Sequence, residues 1–158
     1  MESRREAQVT LPSDHEIVIT RSFDAPQALV FEMWTRAEHV AQWWDPSGVP
    51  LAECEIDLRP GGAFRFVNAG AGGHAFAGTY RAIEPPSRLV FTARAPSASA
   101  STGTLVFSPV GETTRLTMTI ACASKADRDA LLAMRVDVGT ARTLDNLDEF
   151  LGATRRGG

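Results

Sequence analysis

Apolar and polar residues alternate along several stretches of the chain, and this alternation is the first indication of its fold. In residues 51–60, LAECEIDLRP, the even-numbered residues up to position 58 are apolar and most of those between them are charged. A period of two is typical of a β-strand with one face buried and the other in water. It predicts that Glu53, Glu55 and Asp57 lie on the outer face of a sheet.

Further stretches show the same strand character. They alternate less strictly but are rich in β-branched and aromatic residues, and turns rich in proline and glycine, such as Pro60-Gly61-Gly62, separate several of them. With the stretch above, they predict seven strands, six of them consecutive in the chain. They are HEIVITRSF, AFRFV, AFAGTYRAI, RLVFTARA, TGTLVFS and TRLTMTIAC.

Two short helices are predicted between the first strand and the second. In DAPQALVFEMW, Pro26 suits the first turn of a helix because its missing N–H is not needed there. Thr35 and Glu38 have the spacing of a capping box, which predicts the start of the second helix. The turn residues DPSG at positions 45–48 then end that helix.

The C-terminal segment predicts an interrupted helix. Ser124 and Asp127 have the spacing of a helix cap. The apolar residues that follow fall into two groups, which lie about 120° apart on a helical wheel, so one straight helix cannot bury both. We expect a break or bend between Met134 and Gly139, and a longer amphipathic helix from about Val136 to Gly152.

The order of these elements predicts an α+β protein. A strand, two short helices, six strands and a long helix follow one another, without the strand-helix alternation of a parallel sheet. A large antiparallel sheet twists and curls, and the last helix is the longest amphipathic element that can cover it. We therefore expect a space between sheet and helix, in one domain at residues 15–152 flanked by flexible tails at 1–14 and 153–158.

Five motifs resemble those of the heat-shock ATPase activator homologue type of the START-like (SRPBCC) superfamily, which also includes polyketide cyclases and birch-pollen-allergen-like proteins. The resemblance covers residues 15–152 and implies a helix-grip fold. In that fold a curved antiparallel sheet, here of about seven strands with two short helices, wraps a long C-terminal helix. The motifs are FDAP, QWWDP, DLRPGG, GTYRAIEPPSRLVFT and TLDNLDEFL.

One position departs from the family pattern. Relatives usually carry a tryptophan after the glycine of the last helix, whereas this chain has Gly139-Thr140. A large aromatic side chain is therefore missing from the helix face that looks into the sheet. Either another side chain fills that volume or the cavity is wider there than in typical relatives.

Charge and composition exclude several other functions. The net charge of -3 is unlike the basic stripe of a nucleic-acid binder. Cys54 and Cys122 are far apart, and no histidine has a second ligand at a metal-site spacing, so neither a metal nor a cofactor is expected. No apolar run is long enough to span a membrane. Because no secretory signal is visible either, we expect a cytoplasmic protein.

Three functions remain open, since a fold does not fix a function. The first is binding of a small apolar or amphipathic molecule in the cavity, with no membrane partner. The second is a cyclase-like or hydrolase-like enzyme, although no pair of titratable residues is predicted to face inward and no catalytic residue is assigned. The third is a co-chaperone, for which a short single domain offers little support. A homodimer also stays open.

The predicted ligand-binding residues are the large side chains expected on the inner face. Each of them can instead be ordinary core, because aromatic residues dominate cores. Of the adjacent Trp43 and Trp44, we expect one to pack against the sheet and the other to cover part of the cavity entrance beside Pro46. The predicted site consists of Trp34, Trp44, Phe66, Phe76, Tyr80, Phe91, Met118, Thr140 and Leu144.

Overall fold

The computed structural model describes residues 6–69, 75–94 and 100–157, and these residues form one sheet and a set of helices. The strands are β1 (Gln8–Thr10), β2 (Glu16–Phe23), β3 (Glu53–Ile56), β4 (Ala63–Val67), β5 (Ala75–Glu84), β6 (Arg88–Arg94), β7 (Ser101–Val110) and β8 (Thr113–Ala121). The helices are α1 (Gln27–Thr35), α2 (Ala37–Trp43), α3 (Lys125–Ala133) and α4 (Val136–Gly157).

The sheet is antiparallel throughout, with the strand order β1-β2-β8-β7-β6-β5-β4-β3. Strands β3 to β8 therefore form the predicted meander of six consecutive strands, and β2 extends it beside β8. The long α4 covers one face of this sheet. The α+β class and the helix-grip arrangement are confirmed.

The count of seven strands was one short, because residues 8–10 form β1 inside the predicted N-terminal tail. In β1, Val9 pairs with Ile19 of β2, yet Val9 is 41% exposed. Pairing to a sheet edge holds this strand, and burial contributes little. A three-residue strand without a buried face leaves no periodic signal in the sequence.

Alternation along the strands decides which side chains face α4. In β2 the odd-numbered residues from Ile17 to Phe23 are buried, and their neighbours are half-buried. In β3 the outer positions Glu53 and Glu55 are exposed, as predicted. The inner face of the sheet is therefore mostly apolar.

The predicted break in the C-terminal segment is confirmed at Met134 and Arg135, between α3 and α4. Ser124 caps α3 as predicted, because its hydroxyl oxygen accepts from the Asp127 N–H at 3.1 Å. Arg135 has φ 60°, in the left-handed region. For a residue with a Cβ this conformation costs roughly 1–2 kcal/mol. From this turn α4 runs to Gly157, one turn beyond the end expected at Gly152.

The capping box predicted for Thr35 and Glu38 is wrong. Arg36 occupies the N-cap of α2, without a side-chain cap. Thr35 belongs to the last turn of α1, where its buried hydroxyl donates to the carbonyl oxygen of Phe31 at 3.1 Å. A threonine hydroxyl satisfied by the residue four positions earlier is not available to cap the next helix.

One inward position of β2 carries a charge that holds α4 to the sheet. The side chain of Arg21 is 3% exposed, and its guanidinium lies 2.6 Å from an Asp145 carboxylate oxygen and 3.4 Å from one of Asp148. Such a buried charge is tolerated only when it is paired. The pair fixes the second half of α4 over β2.

Candidate functional site

A cavity of about 350 Å³ lies between the sheet and the first half of α4. Its walls come from α1, from the turn after α2, from β5 to β8 and from α3 and α4. Three exposed residues, Pro46, Met134 and Arg135, mark its open side. The space expected from the sequence is therefore present, and its size falls within the range of small-molecule pockets.

A larger depression of about 530 Å³ lies beside α1, but it is a shallow surface groove. Its walls include the exposed Arg36 and Leu58. Because buried walls are what remove a ligand from water, the smaller cavity under α4 is the better candidate for a binding site.

Most of the predicted site residues line this cavity. They are Trp34, Trp44, Phe76, Phe91, Met118, Thr140 and Leu144. Phe66 and Tyr80 do not line it; they face a neighbouring gap of about 20 Å³. Both lie on the inner face as predicted, but stacked rings fill that end of the sheet. The ring centroid of Phe64 is 5.2 Å from that of Phe66 and 5.1 Å from that of Tyr80.

Trp43 and Trp44 differ as the sequence analysis expected. Trp43 is completely buried, and its indole N–H donates to the Met33 carbonyl oxygen at 3.1 Å. Trp44 is half-buried and lines the cavity near Pro46. Its ring packs against Phe76 at a centroid distance of 5.3 Å. Trp43 is a core residue, and Trp44 is part of the cavity wall.

Polar groups of α4 fix the position of Trp44. The Thr143 hydroxyl, which has one proton to donate, lies 2.9 Å from the Gly139 carbonyl oxygen and 3.2 Å from that of Trp44. The Asn146 side-chain amide donates to the Asp45 carbonyl oxygen at 2.8 Å. Sequence reasoning missed both residues, although two polar side chains that interrupt an apolar helix face are a usable signal.

Two glycines make room for aromatic rings on the inner face of the sheet. Gly103 of β7 pairs with Phe91 of β6, and a Cβ at Gly103 would lie 2.5 Å from the Phe91 ring. Gly78 of β5 pairs with Phe64 of β4, and a Cβ there would lie 2.6 Å from that ring. Of these two sites, only the Phe91 ring and Gly103 line the cavity, so the missing side chain at Gly103 bears on the shape of the cavity wall.

The helix side of the cavity is open beside Gly139 and Thr140. Thr140 is half-buried and lines the cavity. At the adjacent Gly139, an added Cβ would meet no atom within 4 Å. The volume beside Thr140 is therefore part of an open cavity; a width greater than in relatives stays a prediction.

The described part of the cavity wall contains no carboxylate, imidazole or thiol group. Its polar residues are Asn68, Ser101, Thr140, Thr143 and Arg135. General acid-base chemistry requires a titratable group within hydrogen-bond reach of the ligand. The described wall offers no carboxylate, imidazole or thiol for that purpose.

Two titratable groups on the inner face of the sheet, Cys54 of β3 and Tyr80 of β5, stay protonated at neutral pH. Burial raises the pKa of the Cys54 thiol to about 11. Burial also raises the pKa of Tyr80, and the proximity of Cys54 raises it further. A thiol with a raised pKa is a poor nucleophile, so Cys54 is not activated for covalent chemistry.

Within the described ranges, no group of three or more histidine, cysteine, aspartate or glutamate side chains could hold a metal ion. Among the helices of the same residues, none combines the length and hydropathy needed to cross a membrane.

Comparison with known proteins identifies the family. The family model described as Activator of Hsp90 ATPase homolog 1-like protein matches residues 24–152. The match confirms the resemblance seen in the sequence motifs. No curated protein sequence matches the chain significantly.

Several solved structures share the fold. A protein from Rhodobacter sphaeroides is 27% identical, with a TM-score of 0.86 over 94% of this chain and 99% of that one. CalU16 from Micromonospora echinospora is 26% identical, with a TM-score of 0.67 over 92% of this chain and 84% of its own. An HSP90 activator from Plasmodium falciparum is 23% identical, with a TM-score of 0.68 over 87% of this chain and 96% of its own. At that identity the last likeness concerns the fold alone.

Proposed function

We propose that this chain, which belongs to the Activator of Hsp90 ATPase homolog 1-like family, binds a small apolar or amphipathic molecule in the cavity between its sheet and α4. The observation that carries the proposal is the cavity of about 350 Å³ beside Thr140. Its walls are mainly aromatic and aliphatic, and apolar walls with a few polar groups are typical of small-molecule sites.

Binding of N-phenyl-1-naphthylamine, a neutral probe whose fluorescence rises in apolar surroundings, tests this proposal. The Thr140→Trp variant puts an indole where relatives usually have one. We expect it to weaken probe binding by about tenfold or more, which corresponds to about 1.4 kcal/mol. The matched control is Thr154→Trp, at an exposed position of the same helix. It should bind the probe like the wild type.

Unfolding of the same two variants in urea separates a filled cavity from a damaged core. If Thr140 borders empty space, Thr140→Trp keeps or raises the free energy of unfolding. Forcing an indole into a full core destabilises by about 1–3 kcal/mol instead. Lost stability with unchanged probe binding would show that the core is already full, and the proposal would be wrong.

The family and fold are also compatible with a cyclase-like function. We choose between binding and catalysis from the residues of the described cavity wall. That wall carries no carboxylate, imidazole or thiol that could transfer a proton. We therefore rank binding above catalysis. Mass spectrometry of small molecules that co-purify with the protein would separate the two: an unmodified compound that is recovered repeatedly supports a binding protein.

A chaperone partner is the weakest of the three candidates. The family description names an activator of the Hsp90 ATPase. We expect the purified chain to leave the ATPase rate of an Hsp90 chaperone unchanged; a stimulation that saturates with added chain would reverse this ranking. The cytoplasmic setting and a homodimer stay predictions.

A further inference from the structure

A single charged side chain stands in the described wall of the cavity. Arg135 lies between α3 and α4, on the open side, while the rest of that wall is uncharged. Met134 beside it is 44% exposed. The entrance therefore combines an apolar edge with one guanidinium group.

The backbone of Arg135 is in a conformation that normally selects glycine. Its φ is 60°, and its N–H donates to the Leu132 carbonyl oxygen at 2.9 Å, which closes the end of α3. This is the left-handed position after a helix, where glycine is the usual residue. Glycine would serve the turn better, so the turn does not explain the arginine. Strained residues cluster at sites of function.

The guanidinium of Arg135 makes no ion pair or side-chain hydrogen bond with any described residue. Most other arginines near the sheet and helices are paired: Arg21 with Asp145, for example, and Arg65 with Glu53. The group at the entrance is thus available to a ligand. It can form two parallel hydrogen bonds with a carboxylate.

We infer that the ligand is an amphipathic carboxylic acid, with an apolar body in the cavity and a carboxylate held by Arg135 at its entrance. Val136 and Gly139 in the first turn of α4 line the same cavity and would contact the apolar body of the ligand. The inference rests on the proposed function, since it names the class of molecule that the cavity binds.

A pair of probes with the same body tests the inference: anthracene-2-carboxylate and its methyl ester. The variant Arg135→Gln removes the charge and keeps much of the side chain. We expect it to weaken binding of the carboxylate by about three- to tenfold and to leave binding of the ester within about twofold, as for a site that has lost only a charged contact. Arg135→Lys should recover part of the carboxylate affinity.

The matched control is Arg115→Gln, which removes the same charge from an exposed position of β8. It should leave the affinity for both probes unchanged. Added salt should weaken binding of the carboxylate and not of the ester, because salt screens an exposed ion pair. Circular dichroism confirms that each variant is folded.

The outcomes separate the two proposals. If the ester binds the wild type and Thr140→Trp blocks it, but Arg135→Gln does not weaken the carboxylate selectively, the role of Arg135 is wrong and the binding cavity stands. If Arg115→Gln loses as much affinity for the carboxylate as Arg135→Gln does, the role of Arg135 is also wrong, because the loss would then be a general effect of net charge. If neither anthracene probe binds the wild type but N-phenyl-1-naphthylamine does, the inference of a carboxylic acid is wrong and the binding cavity stands; if none of the three probes binds, both proposals fail.

Discussion

The second half of α4, from Asp145 onward, presents Leu147 and Leu151 to the sheet, and both are buried, whereas the first half, up to Leu144, presents Gly139, Thr140 and Leu144 to a cavity. Both halves face the same sheet. The difference comes from side-chain volume: leucines fill the interface at one end, and small residues leave it open at the other. The cavity therefore lies where this helix carries small side chains.

The two halves are also fixed differently. Arg21 of β2 forms ion pairs with Asp145 and Asp148 in the second half. Thr143, beside the cavity, lies within hydrogen-bond distance of a backbone carbonyl of the turn after α2. The ion pairs thus hold the filled half of the helix against β2, and the polar contacts of Thr143 lie beside the open half. The predictions below test this division.

The largest effect is expected for Trp43, which belongs to the filled core. Trp43→Ala removes a completely buried ring and its hydrogen bond to Met33. We expect a loss of about 3–5 kcal/mol in the free energy of unfolding, measured in urea. Trp44→Ala should cost roughly half as much or less, but should weaken binding of N-phenyl-1-naphthylamine. Equal losses of stability would contradict the assignment of one indole to the core and the other to the cavity wall.

The next effect compares the two halves of α4 directly. Leu147→Ala creates a hole in the filled half and should cost about 2–5 kcal/mol. Thr140→Ala enlarges a space that already exists and should change stability by less than about 1 kcal/mol. Urea unfolding of both variants measures the two losses of unfolding free energy. A large loss in Thr140→Ala would show that the first half is packed like the second.

A pair of glycine variants compares the sheet side of the cavity with its helix side. Gly103→Ala places a methyl group against the Phe91 ring, and we expect a loss of about 1–3 kcal/mol together with weaker probe binding. Gly139→Ala meets no atom within 4 Å. Since alanine favours a helix over glycine, it should stabilise by up to about 1 kcal/mol. Thermal unfolding with and without N-phenyl-1-naphthylamine measures the stability and the probe binding of each variant. Destabilisation by Gly139→Ala would contradict the open space beside α4.

The smallest effect concerns Cys54 and appears only at high pH. Burial raises the pKa of this thiol to about 11 from its ordinary 9.0. Below pH 9 the thiol is protonated in both the folded and unfolded states, so it has no influence on the pH dependence of stability. Between pH 9 and 11 the unfolded state loses its proton first, so the stability contributed by this group falls as the pH rises.

Alkylation by iodoacetamide measures the same titration. Because the thiolate is the reactive form, the rate at the Cys54 peptide should keep rising between pH 9 and 11 while circular dichroism shows the fold intact. A rate that levels off near pH 9 would mean that the thiol is not buried as described.

The parts of the fold that depend on burial of one face were predictable from the sequence. Alternation in β2 and β3 and the phase change before Val136 leave a periodic signal, because a misplaced side chain would expose apolar surface. β1 leaves no such signal, since it is held by backbone pairing at a sheet edge. The capping box failed because the Thr35 hydroxyl was already satisfied within α1.

For the candidate site, the sequence predicted which residues lie on the inner face of the sheet, but not which of them line the cavity. Phe66 and Tyr80 do lie on the inner face, but alternation does not say which end of a sheet is filled, and the stacking of rings on Phe64 decides it. Arg135 was missed as a cavity residue. Its importance depends on a left-handed backbone that places it at the entrance, and no pattern of apolar and polar residues reveals that conformation.

Ligand-induced stabilisation in Thr140→Trp tests the central claim most directly. A probe that binds the folded state at 100 times its Kd raises the free energy of unfolding by about 2.7 kcal/mol. For a domain of this size that is a rise of roughly 5–10 °C in Tm. We predict this rise with N-phenyl-1-naphthylamine for the wild type and for Thr154→Trp, and little or none for Thr140→Trp. An equal rise in all three proteins would contradict the claim that the ligand occupies the space beside Thr140.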